Sequence, residues 1–520
     1  MKTILYTWFA VLLFGMAAVS CGDDDTKNND TTGITGSSWK ASETVGADRT
    51  TKKYTFKASA NWVAQSDKPE WCKILTSSGD KGSDRQLNIT VEANETGSTR
   101  SANITVQVSG YARAAQFAIT QLGSSSGGTG ADTELNKQVD KILEYYYLWN
   151  GEYRQMSRDL SLDYISSSDN FLKRTLLEMT TNDLDKKRQS NGSYSVYSYL
   201  MRTPLTKAVA GTTRGVSHGV VKEKEYGFGI AGLMGVRFVD GNNQPTGEYG
   251  LVVTSVYPDS PASEAGFRRG TFFAQYNGAA ITAANLNSVY GTLIAPGGAS
   301  TVKLTENKQG AQPVSLTARE IYPNPVIHSE VITSGAHRIG YLVYDSFDAA
   351  YDDELLAAVK KLKDGNITDM VLDLRNNGGG HVISSNMLST CIAGAACQGK
   401  VYEYYRYNDS RMADPAKTQK QTGNTYDREK ALFYENFSYG DYYGADLKQY
   451  ALGLQNIYVL TTGSTASSSE AVINGLRGID ISVTLIGEKT NGKNVGMEID
   501  KFDDGDYSYE LAPITFEGYN

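Results

Sequence analysis

The chain has 520 residues, of which 40% are hydrophobic, and a formal charge of −8 without a long basic block. A chain of this length is too long for one hydrophobic core, so we expect several domains. Its apolar content is sufficient for folding without stabilisation by a metal ion or disulfide bonds. The acidic balance disfavours nucleic-acid binding. No pair among the four histidines has the spacing of a zinc motif, so we expect no metal and no cofactor.

The first twenty residues predict export. Lys2 precedes an apolar stretch shorter than the roughly 20 residues of a membrane-spanning helix, and small residues then lead to Cys21. This order resembles a bacterial lipoprotein signal and implies that residues 1–20 are removed and Cys21 is lipidated. The acidic run at residues 23–25 resembles export signals of Bacteroidetes surface lipoproteins. We therefore expect a cell-envelope protein anchored in the outer membrane, facing the periplasm or the surface; the alternative is an ordinary signal peptide with an incidental cysteine.

A polar tether at residues 21–37 is followed by an all-β segment at residues 38–123. Residues 87–91 and 102–108 alternate apolar and polar side chains, which indicates strands with one buried face. Clusters of Gly, Asn, Asp and Ser separate these strands. The sequence therefore predicts a small β-sandwich.

Within this sandwich, the order Trp62, Trp71, Asn94, Arg100 and a closing strand resembles the BACON domain of Bacteroidetes surface proteins. That resemblance implies a module that binds carbohydrate or mucin. We favour the alternative of a spacer, because tryptophan in so small a sandwich usually fills the core.

Residues 124–133 are rich in Gly and Ser and predict a flexible linker. After it, Leu135, Val139 and Leu143 recur at helical spacing. We therefore expect residues 134–218 to be mainly helical.

Residues 219–316 predict a second β-rich unit. A Gly-Phe-Gly-Ile loop, a long apolar strand, a Ser-Pro-Ala segment and an Asn-Gly turn follow in this order. Together they resemble a PDZ domain of the kind found in peptidases. The resemblance implies that the loop presents backbone N–H groups to a peptide's terminal carboxylate, while the peptide adds as a strand to the sheet edge. The helix after Pro261 would form the other wall of the groove, and the loop residues are Gly227, Phe228, Gly229 and Ile230.

From residue 317 to 520 strands alternate with helices, which predicts an α/β unit. In it, Ser467 would lie where a strand enters a helix and free backbone N–H groups favour negative charge, although Ser467 and Glu470 also make a good helix capping box. Residues 378–380 are three glycines after a buried strand, suited to close substrate approach or simply to a tight turn. Lys489 and Lys493 lie in a loop after another strand, and a buried lysine with its pKa lowered from ~10.4 can act as a base.

In this order the three segments resemble the catalytic core of the C-terminal-processing (tail-specific) serine peptidases. Residues 372–380 match the family's Leu-Asp-Leu-Arg-Asn-Asn-x-Gly-Gly segment, residues 465–470 its serine turn, and residues 487–493 its Gly-Glu-x-Thr-x-Gly-Lys loop. The resemblance implies Ser467 as the nucleophile and Lys493 as its general base.

The same resemblance implies an oxyanion hole that uses the N–H groups of Ser468 and Gly379. It implies that Glu470 caps the helix and orients the serine turn. The chain departs from the family pattern at Thr465, Ser468 and Gly378. The other serines of the turn leave its register open.

The resemblance covers about residues 134–520 and implies a crotonase/ClpP-like α/β core preceded by a PDZ domain. The implied reaction is acyl transfer, in which Lys493 takes the proton of Ser467, the serine attacks a peptide carbonyl, and water completes hydrolysis. The implied partners are proteins or peptides with free C-termini, and neither a metal nor a cofactor is implied.

Two other functions stay open. The chain could be an inactive or weakly active surface protein that holds glycan or peptide, although the intact serine, lysine and glycine loop argue against this. It could also be a Ser-His hydrolase that uses His381 or His218.

Cysteine usage leaves one structural alternative. Once Cys21 is acylated, Cys72, Cys391 and Cys397 remain. Cys391 and Cys397 could close a short disulfide in an oxidising compartment, or they could be buried thiols.

Overall fold

The computed structural model describes residues 32–40, 42–45, 49–94, 100–121, 130–156, 168–188, 194–204, 220, 222–504 and 507–519. The predicted signal peptide, the lipidation site at Cys21, His218 and most of the Gly/Ser linker lie outside these residues. Among the helices that the structure describes, none is long and apolar enough to cross a membrane.

The first module is a two-sheet β-sandwich. Its sheets have the strand orders β1-β3-β7-β5 and β2-β9-β8-β4-β6, and their facing side chains form one core. The predicted sandwich is confirmed, but its first strand lies inside the predicted tether. Its strands are β1 (Ile34–Thr35), β2 (Ser42–Val45), β3 (Thr50–Ala58), β4 (Trp62–Ser66), β5 (Cys72–Ile74), β6 (Ser78–Gly79), β7 (Gly82–Val91), β8 (Arg100–Val108) and β9 (Ala115–Gln121).

The two tryptophans of this sandwich belong to its core. Trp62 is 3% exposed and Trp71 is 7% exposed. The Arg100 guanidinium lies 4.3 Å from the centroid of the Trp71 ring. Neither ring offers an open face to a sugar, so the interpretation of both as core anchors is confirmed.

The second module begins as predicted and then differs. The described residues up to Asp185 contain the expected helices, but three short strands follow at residues 186–188, 194–196 and 199–204, so the expectation of a mainly helical segment is wrong there. The strand Tyr199–Pro204 finds its partner near the far end of the chain, pairing Tyr199 with Ala512. The elements are the helices Gly130–Tyr146, Asn150–Gln155 and Ser168–Glu178, a 3-10 turn at Asp183–Asp185, and the strands β10 (Lys186–Arg188), β11 (Tyr194–Val196) and β12 (Tyr199–Pro204).

The third module is a six-stranded antiparallel sheet with strand order β14-β15-β17-β16-β18-β19. Strand β14, which follows the Gly-Phe-Gly loop directly, lies at the edge of this sheet. The strands are β13 (Glu225–Gly227), β14 (Ile230–Val239), β15 (Pro245–Val256), β16 (Phe272–Tyr276), β17 (Ala279–Thr282), β18 (Thr301–Glu306), β19 (Val314–Thr317) and β20 (Arg319–Ile321). Because β13 pairs with β20, the module extends beyond its predicted end at residue 316.

One detail of this module was predicted wrongly. The helix after Pro261 is a single turn, Pro261–Glu264, and the longer helix Leu286–Ile294 is the one beside β14. A Cβ atom placed on Gly235 of β14 would lie 3.6 Å from Leu286 Cδ2. The helix that lies beside the edge strand is therefore Leu286–Ile294.

The fourth module contains two five-stranded sheets, with strand orders β21-β22-β23-β29-β30 and β25-β26-β24-β34-β31. Its strands are β21 (Val326–Ser334), β22 (His337–Tyr344), β23 (Asp369–Asp373), β24 (Val401–Tyr407), β25 (Thr425–Asp427), β26 (Leu432–Asn436), β27 (Asp441–Tyr442), β28 (Ala445–Asp446), β29 (Asn456–Thr461), β30 (Ser482–Gly487), β31 (Val495–Met497), β32 (Asp500–Asp504), β33 (Tyr507–Ala512) and β34 (Ile514–Tyr519). Its helices are Asp352–Asp364, Val382–Ala393, Asp409–Met412, Pro415–Thr422 and Ser468–Arg477, with 3-10 turns at Ala349–Tyr351, Gly394–Cys397 and Leu447–Tyr450.

The first of these sheets determines where the predicted catalytic segments meet. Strands β22, β23, β29 and β30 run parallel, so their carboxyl ends share one edge of the sheet. The glycine loop follows β23, the serine turn follows β29 and the lysine loop follows β30. Neighbouring parallel strands thus bring all three segments to one edge, the usual position of a site in α/β sheets.

Helices cover one face of this sheet and complete its core. Asp352–Asp364 has an acidic first turn and lysines in its last turn, which suits the helix dipole, and it buries Leu355, Val359 and Leu362. Cys391 and Cys397 belong to the same core and are free thiols, as is Cys72. Of the two alternatives for Cys391 and Cys397, the structure therefore has buried thiols and not a disulfide.

Candidate active site

The serine turn holds Ser467 in an unusual backbone conformation. Strand β29 ends at Thr461 and the helix begins at Ser468, so the chain reverses within a few residues. Ser467 has φ 56° and ψ −120°, a region that a non-glycine residue occupies at a cost of about 1–3 kcal/mol. Such strain at a strand-to-helix turn is the geometry that exposes the nucleophilic serine in α/β-hydrolases.

The glycine loop packs directly against this serine. Gly379 has φ 104°, and a Cβ atom at that position would lie 2.7 Å from Ser467 Cβ and 3.1 Å from the nitrogen of Ser468. At Gly380, with φ 136°, a Cβ atom would lie 2.2 Å from the carbonyl oxygen of Phe347. Gly379 is therefore required by the close approach of the loop to the serine turn, and Gly380 by its close approach to the backbone of Phe347.

Hydrogen bonds join the glycine loop to the serine turn. The Ala466 N–H and the Ser469 hydroxyl both donate to the carbonyl of Asn377, at 3.2 and 3.0 Å. The Ser468 hydroxyl donates to the carbonyl of Gly380 at 2.7 Å, and the Thr465 hydroxyl donates to the carbonyl of Leu374 at 2.8 Å. The two segments therefore form one rigid unit.

These bonds bear on the register of the serine-rich turn. The hydroxyls of Ser468 and Ser469 are buried and donate to loop carbonyls, so both have structural tasks. Ser464 is exposed at the start of the turn. Ser467 is half-buried against Gly379 and is the serine that the turn presents at the sheet edge.

Glu470 connects the serine turn to the lysine loop. Its Oε2 accepts the N–H of Ser467 and the N–H of Lys493, both at 3.0 Å, and its Oε1 accepts the N–H of Gly492 at 2.6 Å. The backbone nitrogens of Ser467 and Lys493 are thus within two hydrogen-bond lengths of each other. The carboxylate of Glu470 thus binds both the serine turn and the lysine loop, and its role in orienting the serine turn stays a prediction.

Lys493 occupies a desolvated position. Burial lowers the pKa of its ammonium from the ordinary value; the carboxylates of Asp185 and Glu470 oppose that change, while Lys187 adds to it. The ammonium lies 4.7 Å from the centroid of the Tyr197 ring. Among the described residues no hydrogen bond joins Lys493 Nζ to the Ser467 hydroxyl. Lys489, the other lysine of the loop, is exposed.

The two predicted oxyanion donors differ in their present partners. The N–H of Ser468 is at the first helical position, where backbone donors have no partner inside the helix, and it lies beside Gly379. The N–H of Gly379 instead donates to Asn377 Oδ1 at 2.8 Å. The N–H of Gly379 would have to leave that acceptor before it could donate to an oxyanion. The sequence analysis did not identify Asn377 as the acceptor in this loop.

For His381, the histidine alternative finds no support in the geometry, while His218 lies outside the described residues. Nδ1 of His381 accepts the N–H of Ala349 at 3.2 Å and lies 3.1 Å from the Phe347 carbonyl, on the far side of the glycine loop. In the described part of the chain His381 makes no hydrogen bond to Ser467. In the same residues no group of three or more His, Cys, Asp or Glu could hold a metal ion.

The third module is joined to the strand that leads into the glycine loop. Arg269 donates to Asp373 at the end of β23, at 2.5 Å, and Asn376 donates to the carbonyl of Thr254 at 3.0 Å. Burial would raise the pKa of Asp373, but the hydrogen bonds and charges of Arg375 and Arg269 outweigh it and hold that pKa at about 2.

The Gly-Phe-Gly-Ile loop connects the end of β13 to the first residue of β14, the edge strand of that module. Phe228 and Ile230 are buried, and the carbonyls of Phe228 and Gly229 accept the N–H groups of Ala262 and Tyr257, both at 2.8 Å. A Cβ atom at Gly229, which has φ 83°, would lie 2.0 Å from the Ser260 hydroxyl oxygen. The loop is therefore a fixed turn directly before β14.

Two family models match parts of the chain. Residues 338–514 match peptidase family S41, and residues 59–122 match BACON, described as a putative N-terminal binding domain. The chain therefore contains a peptidase family S41 domain and a BACON domain.

Curated relatives and a solved structure are also similar to this chain. The carboxy-terminal processing protease CtpA of Bacillus subtilis is 24% identical over 256 residues, which are 49% of this chain and 47% of that protein. The chloroplastic carboxyl-terminal-processing peptidase 2 of Arabidopsis thaliana is 27% identical over 135 residues, 25% of this chain and 26% of that protein. A putative S41 protease from Bacteroides fragilis has a similar fold, with a TM-score of 0.51 and 24% identity over 74% of this chain and 85% of that chain. The chain thus spans less than half the length of these two curated relatives.

Proposed function

We propose that this chain, whose residues 338–514 form a peptidase family S41 domain, is a serine endopeptidase that cleaves protein substrates through Ser467 and Lys493. The observation that carries the proposal is the shared carboxylate of Glu470. One oxygen of Glu470 binds the backbone of both Ser467 and Lys493, so the nucleophile and its base are positioned by the same group.

The proposed reaction starts with a neutral lysine. Lys493 takes the proton of the Ser467 hydroxyl while the serine oxygen attacks the carbonyl carbon of the scissile bond. The protonated lysine then gives that proton to the leaving amine, which leaves an acyl-enzyme ester on Ser467. Water, deprotonated by the same lysine, hydrolyses the ester. Burial favours the neutral form of Lys493 that the first step needs.

The negative charge of the tetrahedral intermediate would be held at the start of the helix. The N–H of Ser468 points from the first helical position, where the helix dipole adds to its effect. Gly379 supplies the second donor in this proposal, after its N–H exchanges Asn377 Oδ1 for the oxyanion. Substrate binding would have to drive that exchange.

The third module supports recognition of substrate C-termini. Among the described residues its edge strand β14 pairs with a strand on one side only, the Gly-Phe-Gly loop precedes it, and the helix Leu286–Ile294 lies beside it. An extended peptide could add to β14 as a further strand, with its terminal carboxylate at residues 227–230. The contacts of Arg269 and Asn376 would then connect the bound peptide's module to the glycine loop.

Attachment to the cell envelope is part of the proposal and rests on the sequence alone. A lipid at Cys21 would leave the polar segment at residues 21–31 between the membrane and the sandwich. The sandwich would then act as a spacer, which fits the buried positions of Trp62 and Trp71.

The test is hydrolysis of an unstructured protein with an apolar C-terminus by a soluble chain that begins after Cys21. We expect cleavage by the parent, and no cleavage above background by Ser467→Ala or Lys493→Ala. Lys489→Ala is the matched control, because Lys489 is in the same loop but is exposed, and it should cleave like the parent.

Three results would refute parts of this proposal. Equal cleavage by the parent and Ser467→Ala would remove Ser467 as nucleophile. Activity in Lys493→Ala would favour a base other than this lysine. A well-folded parent that cleaves no such substrate but retains it by its C-terminus would favour the alternative of a peptide-binding protein.

A further inference from the structure

Tyr197 lies outside the S41 match and contacts the proposed base. It lies in the two-residue link between β11 and β12, in the second module. Its ring centroid is 4.7 Å from Lys493 Nζ, and its hydroxyl donates to Asn491 Oδ1 at 3.2 Å. One side chain thus contacts the lysine and a residue two positions earlier in the same loop.

Tyr197 is itself held in place by a buried carboxylate. Its N–H donates to Asp185, to the carbonyl oxygen at 2.8 Å and to Oδ1 at 3.0 Å. Asp185 is fully buried and also accepts the hydroxyls of Tyr147 at 2.7 Å and Ser198 at 2.8 Å. The Ser198 hydroxyl in turn accepts the N–H of Ile514 at 3.0 Å, so this unit is fastened to the fourth module.

We propose that Tyr197 is a positioning residue for Lys493: its ring covers the amine and its hydroxyl holds the lysine loop through Asn491. The proposal rests on the proposed function, in which Lys493 is the base. It also gives the second module a part in catalysis, because that module supplies one wall of the lysine's environment.

The ring can act on the lysine in two opposite ways. An aromatic face attracts a nearby cation and so favours the protonated amine. The same face excludes water and so favours the neutral amine. The charged groups around the amine are the carboxylates of Asp185 and Glu470, which favour the cation, and the ammonium of Lys187, which disfavours it. Since burial is the largest influence and lowers the pKa, we expect exclusion of water to be the main effect of the ring.

Replacing the ring should therefore move the titration of Lys493. In Tyr197→Leu we expect water to reach the amine, so that its pKa rises and the acid limb of the kcat/KM profile moves to higher pH. Tyr197→Phe keeps the ring, so the limb should stay in place. It loses the bond to Asn491 and should reduce kcat/KM by roughly fivefold, the usual effect of one hydrogen bond.

The titration can be followed without relying on activity. The rate at which an amine-selective acylating reagent modifies Lys493, measured by mass spectrometry between pH 6 and pH 11, reports the fraction of neutral amine. This readout works in the Ser467→Ala background, so it separates the role of Tyr197 from the peptidase proposal. Tyr199→Leu is the matched control, because Tyr199 is on the adjacent strand and is 36% exposed.

An upward shift in Tyr197→Leu but not in Tyr199→Leu supports the proposal. No shift in either readout, or the same shift in both variants, overturns it. Should Tyr197→Leu fail to fold, a double-mutant comparison decides: adding Tyr197→Phe to Asn491→Ala should cause no further loss of kcat/KM, and a further fivefold loss would overturn the hydroxyl's assigned role.

Discussion

The Glu470→Gln substitution tests how the two halves of the proposed site are held together. The carboxylate accepts three N–H groups, from Ser467, Gly492 and Lys493. Glutamine replaces one carboxylate oxygen with an NH2 group, so at least one of these donors would face another donor. If the amide oxygen takes the place of Oε2, Gly492 loses its acceptor; in the opposite orientation Ser467 and Lys493 both do.

The size of the effect follows from the energy of these bonds. A hydrogen bond to a charged group contributes about 1.5–3 kcal/mol. If that energy keeps the lysine over the serine in the transition state, its loss lowers kcat by roughly 10- to 100-fold, at about 1.4 kcal/mol per tenfold. KM should change little, because Glu470 is remote from the groove beside β14. Glu470→Asp retains the charge but is one methylene shorter, so we expect an intermediate rate.

Steady-state hydrolysis of the C-terminal apolar substrate gives kcat and KM for the parent and each variant, and circular dichroism checks the fold. Glu488→Gln is the matched control, because Glu488 accepts the N–H of Gly463 at 3.3 Å on the exposed side of the same loop. It should remain close to the parent. A folded Glu470→Gln variant with unchanged kcat, or one no slower than Glu488→Gln, would refute the idea that one carboxylate aligns the nucleophile and its base.

Three further outcomes are expected. Lys493→Met should abolish cleavage and raise the melting temperature at pH 7. Burial lowers the pKa of the lysine in the folded chain, so the unfolded chain binds more protons, and the lysine lowers stability as the pH drops below its pKa in the unfolded chain. An unchanged or lower melting temperature would contradict this. Glu403 lies opposite Glu435 in the sheet, and burial raises its pKa to about 8. Its carboxyl group therefore destabilises the folded chain as the pH rises above its pKa in the unfolded chain. Glu403→Gln should raise the melting temperature more at pH 9 than at pH 5, and an equal change at both pH values would count against this. Cys72, Cys391 and Cys397 should react with a thiol reagent after unfolding and stay unreactive in the native chain, because all three are buried; rapid native labelling would show that the core opens.

The predicted catalytic segments could be read from the sequence because each belongs to a short local pattern. Ser467, Lys493 and the glycine loop follow three strands, and parallel strands deliver their loops to one edge. The strained backbone of Ser467 and the bond from Gly379 to Asn377 could not be read in this way. Both depend on how closely the loop packs against the turn, which no spacing of residue types expresses.

The surroundings of Lys493 were beyond sequence reasoning for a different reason. Tyr197 and Asn491 are 294 positions apart, and neither belongs to a recognisable motif. The expectation of a helical segment near residue 200 failed for the same cause: β12 is a strand because β33, far along the chain, offers it a partner. Long-range pairing of this kind overrides local propensity.

In the proposed mechanism the surroundings of Lys493 must favour both its neutral and its protonated state. A lysine base must be neutral to take a proton, yet it must then hold that proton until the amine leaves. Burial favours the first state, while the carboxylates of Asp185 and Glu470 favour the second. Because both carboxylates already accept backbone N–H groups, much of their charge is engaged and neither forms an ion pair with Lys493. In the proposed mechanism the two carboxylates would therefore favour the protonated lysine during turnover, while burial favours the neutral amine.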